Sequence, residues 1–416
     1  MSTVTETAAP SRFSVRSPQA RALAGFALAA VLLFAVAPAA LPQFRLDLLA
    51  KYLCFGMVGI GIGLAWGRGG MLVLGQGVFF GLGGYAMAMH FKLADAAALG
   101  GPDSLPDFMQ LYGSFDAVPF WWEPFRSPVV ALIAVVALPM LVAFGLGSMI
   151  FRRRVRGAYF AILSQALAAA LALLIVGSQE KTGGTNGLTD IQAFFGYSLD
   201  DPVNRTMIYY IAAAIVLVLV AVVRQLMQSR YGEVLVAVRD AEERVRFLGY
   251  DPANIKIFAY VVAAGMAGIG GAMFVSVVGA INPSSIGIVP SIGFVIGVAV
   301  GGRSSLLGPI VGAVAVAWAS TSLSEAYPDS WNYFYGALFI VVVAFLPGGV
   351  ASLGPIIRQR LAGVPKEDVV LEVPPGPDGA AVLEAGIEAE TAAEDDETGD
   401  PAPETDEPET VKGGQA

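Results

Sequence analysis

Residues 231–273 read YGEVLVAVRDAEERVRFLGYDPANIKIFAYVVAAGMAGIGGAM, a polar stretch that passes without a linker into an oily one. Seven charged groups fall in the 13 residues from Arg239 to Asp251, inside a chain that is 14% charged and 56% hydrophobic. On a helix, Leu235, Val238, Ala241, Val245 and Leu248 recur at spacings of 3, 3, 4 and 3 and make one apolar stripe. Arg239, Asp240, Glu242, Glu243 and Arg246 then fall on the other faces. Gly249 is a plausible helix stop, and Asp251-Pro252 suits the start of the next helix. The pattern predicts a short amphipathic helix of about 14 residues, roughly 21 Å long. The apolar run behind it, 254–279, meets the ~20 residues needed to cross ~30 Å of hydrocarbon.

Similar runs recur along the 416 residues, and the mean hydropathy is +0.66. Ten candidate membrane segments emerge, at about 22–40, 50–66, 71–91, 128–150, 157–177, 207–223, 254–279, 290–302, 305–321 and 332–350. Although Arg12, Arg16 and Arg21 precede the first run as in a secretion signal, its 19 or so residues exceed the ~7–15 of a signal's apolar region, so it reads as an anchor. Basic residues crowd 12–21, the Arg152-Arg153-Arg154-Val155-Arg156 link, the 224–256 loop and Arg358/Arg360, while the loops at 92–127, 178–206 and 322–331 hold few. With ten crossings every basic cluster falls on one side, which the positive-inside rule makes cytoplasmic, with both termini inside. The expected fold is an all-α polytopic membrane protein with about ten transmembrane or half-membrane helices. Its parts are a cytoplasmic N-terminal segment (1–21), a membrane domain (22–350) with the cytoplasmic loop 224–253, and a tail (351–416).

The tail accounts for the net charge of −9: residues 366–416 carry 16 Asp/Glu against 2 Lys and no aromatic residue. Such a composition buries too little apolar area to offset ordering entropy, so a disordered acidic tail is expected. Cys54 is the only cysteine and His90 the only histidine, which leaves no disulfide framework, no two-histidine metal motif and no nucleophile–base pair for an enzyme. Two segments, 61–91 and 291–318, are glycine-dense, with breaks at Arg68-Gly69-Gly70 and Gly301-Gly302-Arg303-Ser304-Ser305. Broken helices are tolerated in a membrane where protein or a water cavity satisfies the backbone. A G-x-A-x-G pattern precedes each break, from Gly63 and Gly297; coincidence in Gly/Ala-rich sequence explains it as readily as an ancient duplication.

Residues 231–273, with GRGGMLVLGQGVFFGLGGYAMAM (67–89), TGGTNGLTDI (182–191), INPSSIG (281–287), VAVGGRSSLLGPIVGA (298–313) and FLPGGV (345–350), resemble the branched-chain amino-acid-type ABC importer permeases. Within that superfamily PDFMQLYGS and WWEPF (106–125), FRRRVRGAYFAILSQALAAAL (151–171), TNGLTDIQAFFGY (185–197) and the RDAEERVRFLGYDP run look like a permease subunit of urea ABC transporters. The chain departs from the pattern at Gly293, where the family has Glu, and at Ser304, where it often has Gly. The resemblance implies a bacterial cytoplasmic membrane protein working with a second homologous permease subunit, two cytoplasmic ATPase subunits and an external substrate-binding protein. It implies no nucleic-acid partner.

None of the six lysines follows a glycine, so the chain has no G-x-x-x-x-G-K-[ST] phosphate cradle. ATP is therefore expected on a partner subunit, with no cofactor, metal or catalytic residue here. The polar helix is the natural docking element, and Arg239, Asp240, Glu242, Glu243 and Gly249 are the candidate coupling residues; for each charge a plain solvated face is the blander reading. Urea presents one carbonyl acceptor and four N–H donors, so its path needs amides and hydroxyls between apolar walls. Gln76, Gln165, Asn282 and Ser284 are the candidate pathway residues, against ordinary interhelix hydrogen bonding. Thr182, Gly184, Thr185 and Asn186 sit in an external loop that is either a gate or receptor contact or a tight turn. Branched-chain amino acids or short amides remain an alternative cargo, and a passive small-solute channel an alternative mechanism.

Overall fold

A computed structural model describes residues 18–340, apart from positions 102, 114, 156, 304, 329, 331, 332, 335, 338 and 339. The chain divides into two units, Met1–Arg358 and Gln359–Ala416; the expected acidic tail, FLPGGV and most of the 332–350 segment lie outside the described residues.

In chain order the helices are α1 (Pro18–Val31), which runs through a π-helical stretch (Leu32–Val36) into α2 (Ala37–Ala40), then α3 (Gln43–Ile62) and a second π stretch (Gly63–Arg68). There follow α4 (Gln76–Gly100), α5 (Asp107–Tyr112), α6 (Pro128–Arg152), α7 (Ala158–Gly177) and α8 (Gln179–Thr182). A small hairpin pairs β1 (Ala193–Phe194) with β2 (Tyr197–Ser198). The rest are α9 (Pro202–Gln228), α10 (Arg230–Phe247), α11 (Pro252–Val278), α12 (Ile288–Gly301) and α13 (Gly308–Ala326). Local chemistry sets several boundaries. Asp201 and Asp251 accept from Val203 N and Ala253 N, each ahead of a proline at the first helical position, and Gly279 closes α11 at φ 73°.

Among the described residues six helices are long and apolar enough to cross a membrane: Gln43–Arg68, Pro128–Arg152, Tyr159–Gly177, Pro202–Gln228, Pro252–Val278 and Pro283–Gly301. The chain is an all-α polytopic membrane protein. The 22–40 and 305–321 segments are helical as expected. The 71–91 segment is corrected: Met71 to Gly75 is non-helical, because Gly70 at φ 67° ends the preceding turn, and α4 starts only at Gln76.

α11 is the hub, packed on α3, α4 and α6 through small residues. A Cβ added at Gly271 would lie 1.8 Å from the Phe80 carbonyl oxygen of α4, and one at Gly61 would lie 2.8 Å from that of Ala263. No larger residue fits such backbone-on-backbone contacts. The two glycine-rich breaks meet each other, since a Cβ at Gly67 would fall 1.8 Å from the Arg303 carbonyl oxygen. The Arg303 guanidinium lies 5.0 Å from the Trp66 ring centroid.

Lys and Arg concentrate at one end, where Glu233, Asp240, Glu242, Glu243 and Asp251 also lie. Late α6 packs on early α11, where Gly147 meets Tyr260 and Ile257, and α10 bonds to the end of α3. That end holds Arg68, Arg152, Arg153, Arg154, Arg224, Arg230, Arg239, Arg244, Arg246, Lys256 and Arg303. The opposite end carries Asp47, Asp95, Asp107, Glu123, Glu180, Asp190, Asp200, Asp201 and Glu325, with fewer cations.

Candidate functional site

α10 begins as the apolar stripe requires: Leu235 and Val238 are buried, and Val245 is 4% exposed. Ala241, at φ −150° and ψ 66°, breaks the helix. Val245 beyond the break keeps to the buried stripe, but the helix ends at Phe247 and Leu248 only caps it, so the reading of Leu248 as an inward stripe residue is corrected. Leu248 is 76% exposed beside Phe247 at 91% and Tyr250 at 53%. The helix closes in a Schellman motif, with Tyr250 N donating to Val245 O and Gly249 N to Arg246 O. Gly249 has φ +87° and open space around its Cβ position, so backbone conformation alone explains the glycine.

Several of the charges on the rod are engaged within the chain. Arg239 donates from Nε and Nη2 to the two carboxylate oxygens of Asp240, at 2.7 and 3.2 Å, and from Nη1 to Gly67 O at 2.9 Å. The side-chain hydrogen bond to Asp240 raises the Arg239 pKa and holds the Asp240 carboxyl below its ordinary range. Lys256 Nζ donates to Glu242 Oε2 at 2.7 Å, tying the second half of α10 to the first turn of α11. Arg246 reaches Glu242 and Glu243, each at 3.4 Å. The Tyr231 hydroxyl donates to Ile255 O at 2.8 Å. α10 is thus a braced rod with an apolar tip.

The second constellation lies where α4, α7 and α12 meet. A Cβ at Gly75 would lie 2.0 Å from Ser164 O of α7, and one at Gly77 would meet Ile286 O at 2.2 Å. Gly77 N donates to Ser291 Oγ at 3.0 Å. Gln76, held between these glycines, is fully buried, and neither its Nε2 nor its Oε1 has a partner among the described residues. Gln165 donates from Nε2 to Ile288 O at 3.1 Å, while its buried Oε1 has no partner. Buried amides normally find a hydrogen-bond partner, so these groups stand out as candidates for contact with a further polar group. Asn282 is placed otherwise: its Oδ1 accepts from Ser285 N and from the Ser284 and Ser285 hydroxyls, capping the short turn before α12. Ser284 is exposed on that turn.

At the end opposite α10, Thr182 is buried and its hydroxyl donates to Ile175 O or Ser178 O, each 2.8 Å away, at the end of α7. Gly183, Gly184 and Gly187 all take positive φ. Gly184 is buried, and Thr185 and Asn186 stand exposed at the tip. The loop is zipped to the chain after α11 by Leu188 N to Ile281 O and Ile281 N to Leu188 O, at 2.9 and 2.8 Å. His90 Nδ1 lies 2.8 Å from Phe125 O, which gives the lone histidine a structural contact. Lys51 and the Phe247–Tyr250 tip were not anticipated as site residues. For Lys51 the signal was a single cation inside an apolar run; for the tip, the stripe's period is no guide where the helix ends.

Apolar crossings broken at glycines, with amide side chains held among them and a polar rod braced at one end, define a polytopic membrane protein with polar groups in its interior. Residues 44–343 match the family described as branched-chain amino acid transport system / permease component, and the chain belongs to that family. It is similar to the high-affinity branched-chain amino acid transport system permease proteins LivM of Escherichia coli (strain K12) and Salmonella typhimurium (strain LT2). Each is 26% identical over 359 residues, covering 80% of this chain and 76% of the relative. No solved structure matches.

Proposed function

We propose that this chain is one permease subunit of an ATP-driven importer, gripped at α10 by a cytoplasmic ATPase subunit. The observation that carries the reading is the exposed Phe247-Leu248-Tyr250 tip on a rod braced through the Arg239–Asp240 and Lys256–Glu242 pairs. Arg239, Asp240, Glu242, Glu243 and Gly249 then act as coupling residues by keeping the rod stiff, and the apolar tip makes the contact. A desolvated aromatic or aliphatic anchor typically carries more docking energy than rim charges. The excess of Lys/Arg at the α10 end supports a cytoplasmic location for it by the positive-inside rule, and both termini are proposed on the same side. A second homologous permease subunit, two ATPase subunits and an external binding protein complete the assembly.

The cargo we propose is urea. Gln76 and Gln165 offer neutral amide donors and acceptors with unmet capacity, which is the chemistry of a small amide. Asn282 and Ser284 flank the entrance turn, and the Thr182, Gly184, Thr185 and Asn186 loop faces the external binding protein. Branched-chain amino acids are the second reading, favoured by the transport function of the family and of both relatives. Uptake of labelled urea and labelled leucine into proteoliposomes holding the assembled complex separates the two. Urea accumulation alone supports the first reading, and leucine accumulation alone replaces it with the second.

A further inference from the structure

Lys51 places an ammonium inside a membrane-spanning helix. It is the ninth residue of α3, about 12 Å from the helix start at 1.5 Å per residue. Two cavities open on it. The first, of about 470 Å³, lies at the end opposite α10 and includes Asp47, Asp190, Asp200, Arg205 and Ser276 in its wall. The second, of about 170 Å³, is bounded by Phe55, Gly293, Phe294, Ser320 and Thr321. Asp47, the nearest carboxylate in sequence, is paired with Arg205 at 3.3 Å and accepts from Gln43 at 2.9 Å. Gly293 offers no side chain. Among the described residues no carboxylate lies within ion-pair distance of Lys51.

An uncompensated cation within the membrane is costly and is retained mainly where it faces a water-filled path. A lysine that merely snorkels to the surface needs one opening, whereas this one borders two. We propose that Lys51 is a cargo-contacting residue, whose ammonium donates hydrogen bonds to an oxygen acceptor of the solute as it passes between the two cavities. A urea carbonyl and an amino-acid carboxylate share that chemistry. The inference rests on the importer reading above.

The test is uptake by the full complex carrying Lys51→Met, Lys51→Gln or Lys51→Arg, with complex assembly and basal ATP hydrolysis measured alongside. Lys51→Met is expected to lower uptake by about tenfold or more in assembled complex. Lys51→Gln keeps N–H donors without charge, so it retains urea uptake but abolishes leucine uptake, which distinguishes the two acceptors. Independently, Lys51→Cys in a Cys54→Ala background should react with a membrane-impermeant thiol reagent added at the end opposite α10, and saturating cargo should slow the reaction. Wild-type uptake by assembled Lys51→Met complex, or a thiol at this position that does not react, overturns the inference alone. Wild-type complex that accumulates neither urea nor leucine overturns the importer reading along with it.

Discussion

Arg239 holds three acceptors at once: both oxygens of Asp240 and the carbonyl of Gly67. It also lays its stem over Gly70, where a Cβ would lie 2.6 Å from Arg239 Cγ. A lysine, a single point donor, cannot reproduce that fork. Arg239→Ala is expected to cut uptake by about tenfold or more, and Arg239→Lys to recover only part of it, with membrane insertion unchanged; quantitative uptake against immunoblotted membrane content checks this. The pH sign follows from the pair. The Asp240 carboxyl is held below its ordinary range by Arg239, so its contribution is present above the usual carboxylate value of ~3.9 and is lost as pH falls through the lowered one. The Arg239 guanidinium is pushed up and stays charged throughout. Thermal stability of wild type should therefore differ little from Arg239→Lys in its dependence on pH between about 5 and 9, as read by melting in detergent. Gly271 makes a different residue-scale point: Gly271→Ala drives a methyl into the Phe80 carbonyl, and overpacking of this kind costs about 1–3 kcal/mol. The expected result is a lower melting temperature, and an unchanged one would contradict the close α4–α11 contact.

At the scale of the element, α10 shows how much a sequence discloses. Its existence, its stop at Gly249 and the Asp251-Pro252 restart are local chemistry and were legible, as was the burial of Leu235, Val238 and Val245. The outward turn of Leu248 was not, because the stripe's period stops being a guide where the helix ends at Phe247 and Leu248 becomes its cap. The crossings show the same division. Glycine clusters and buried glutamines could be read directly, whereas the coincidence of the Gly67 and Arg303 breaks depends on tertiary packing between segments more than 230 residues apart. Asn282 was read as polar and intramembrane, but its side chain is consumed in a cap. Phe247→Ser with Leu248→Ser tests the element. Loss of about 2 kcal/mol, or roughly thirtyfold in affinity for the ATPase subunit, is the expected cost of removing a docking anchor. A pull-down titration with purified subunits reads it, and unaltered affinity would assign the contact elsewhere.

Over the whole molecule, the concentration of Lys and Arg at one end and the position of α10 make one arrangement. The Arg-rich end carries the braced rod; the acidic end carries the glycine loop zipped to the turn that Asn282 caps. Between them lie the glycine-hinged crossings with unmet amides at Gln76 and Gln165. Movement of the rod by a partner would reach the crossings through Arg239 and Gly67, which join α10 to the break after α3. Accumulation of labelled urea and leucine against a gradient, in proteoliposomes loaded with ATP and reconstituted with or without the ATPase subunits, bears on this most directly. Uphill uptake should require both ATP and the ATPase, and should vanish in the Phe247→Ser, Leu248→Ser protein. Uphill uptake that persists without the ATPase, or at full rate with the altered tip, would contradict it.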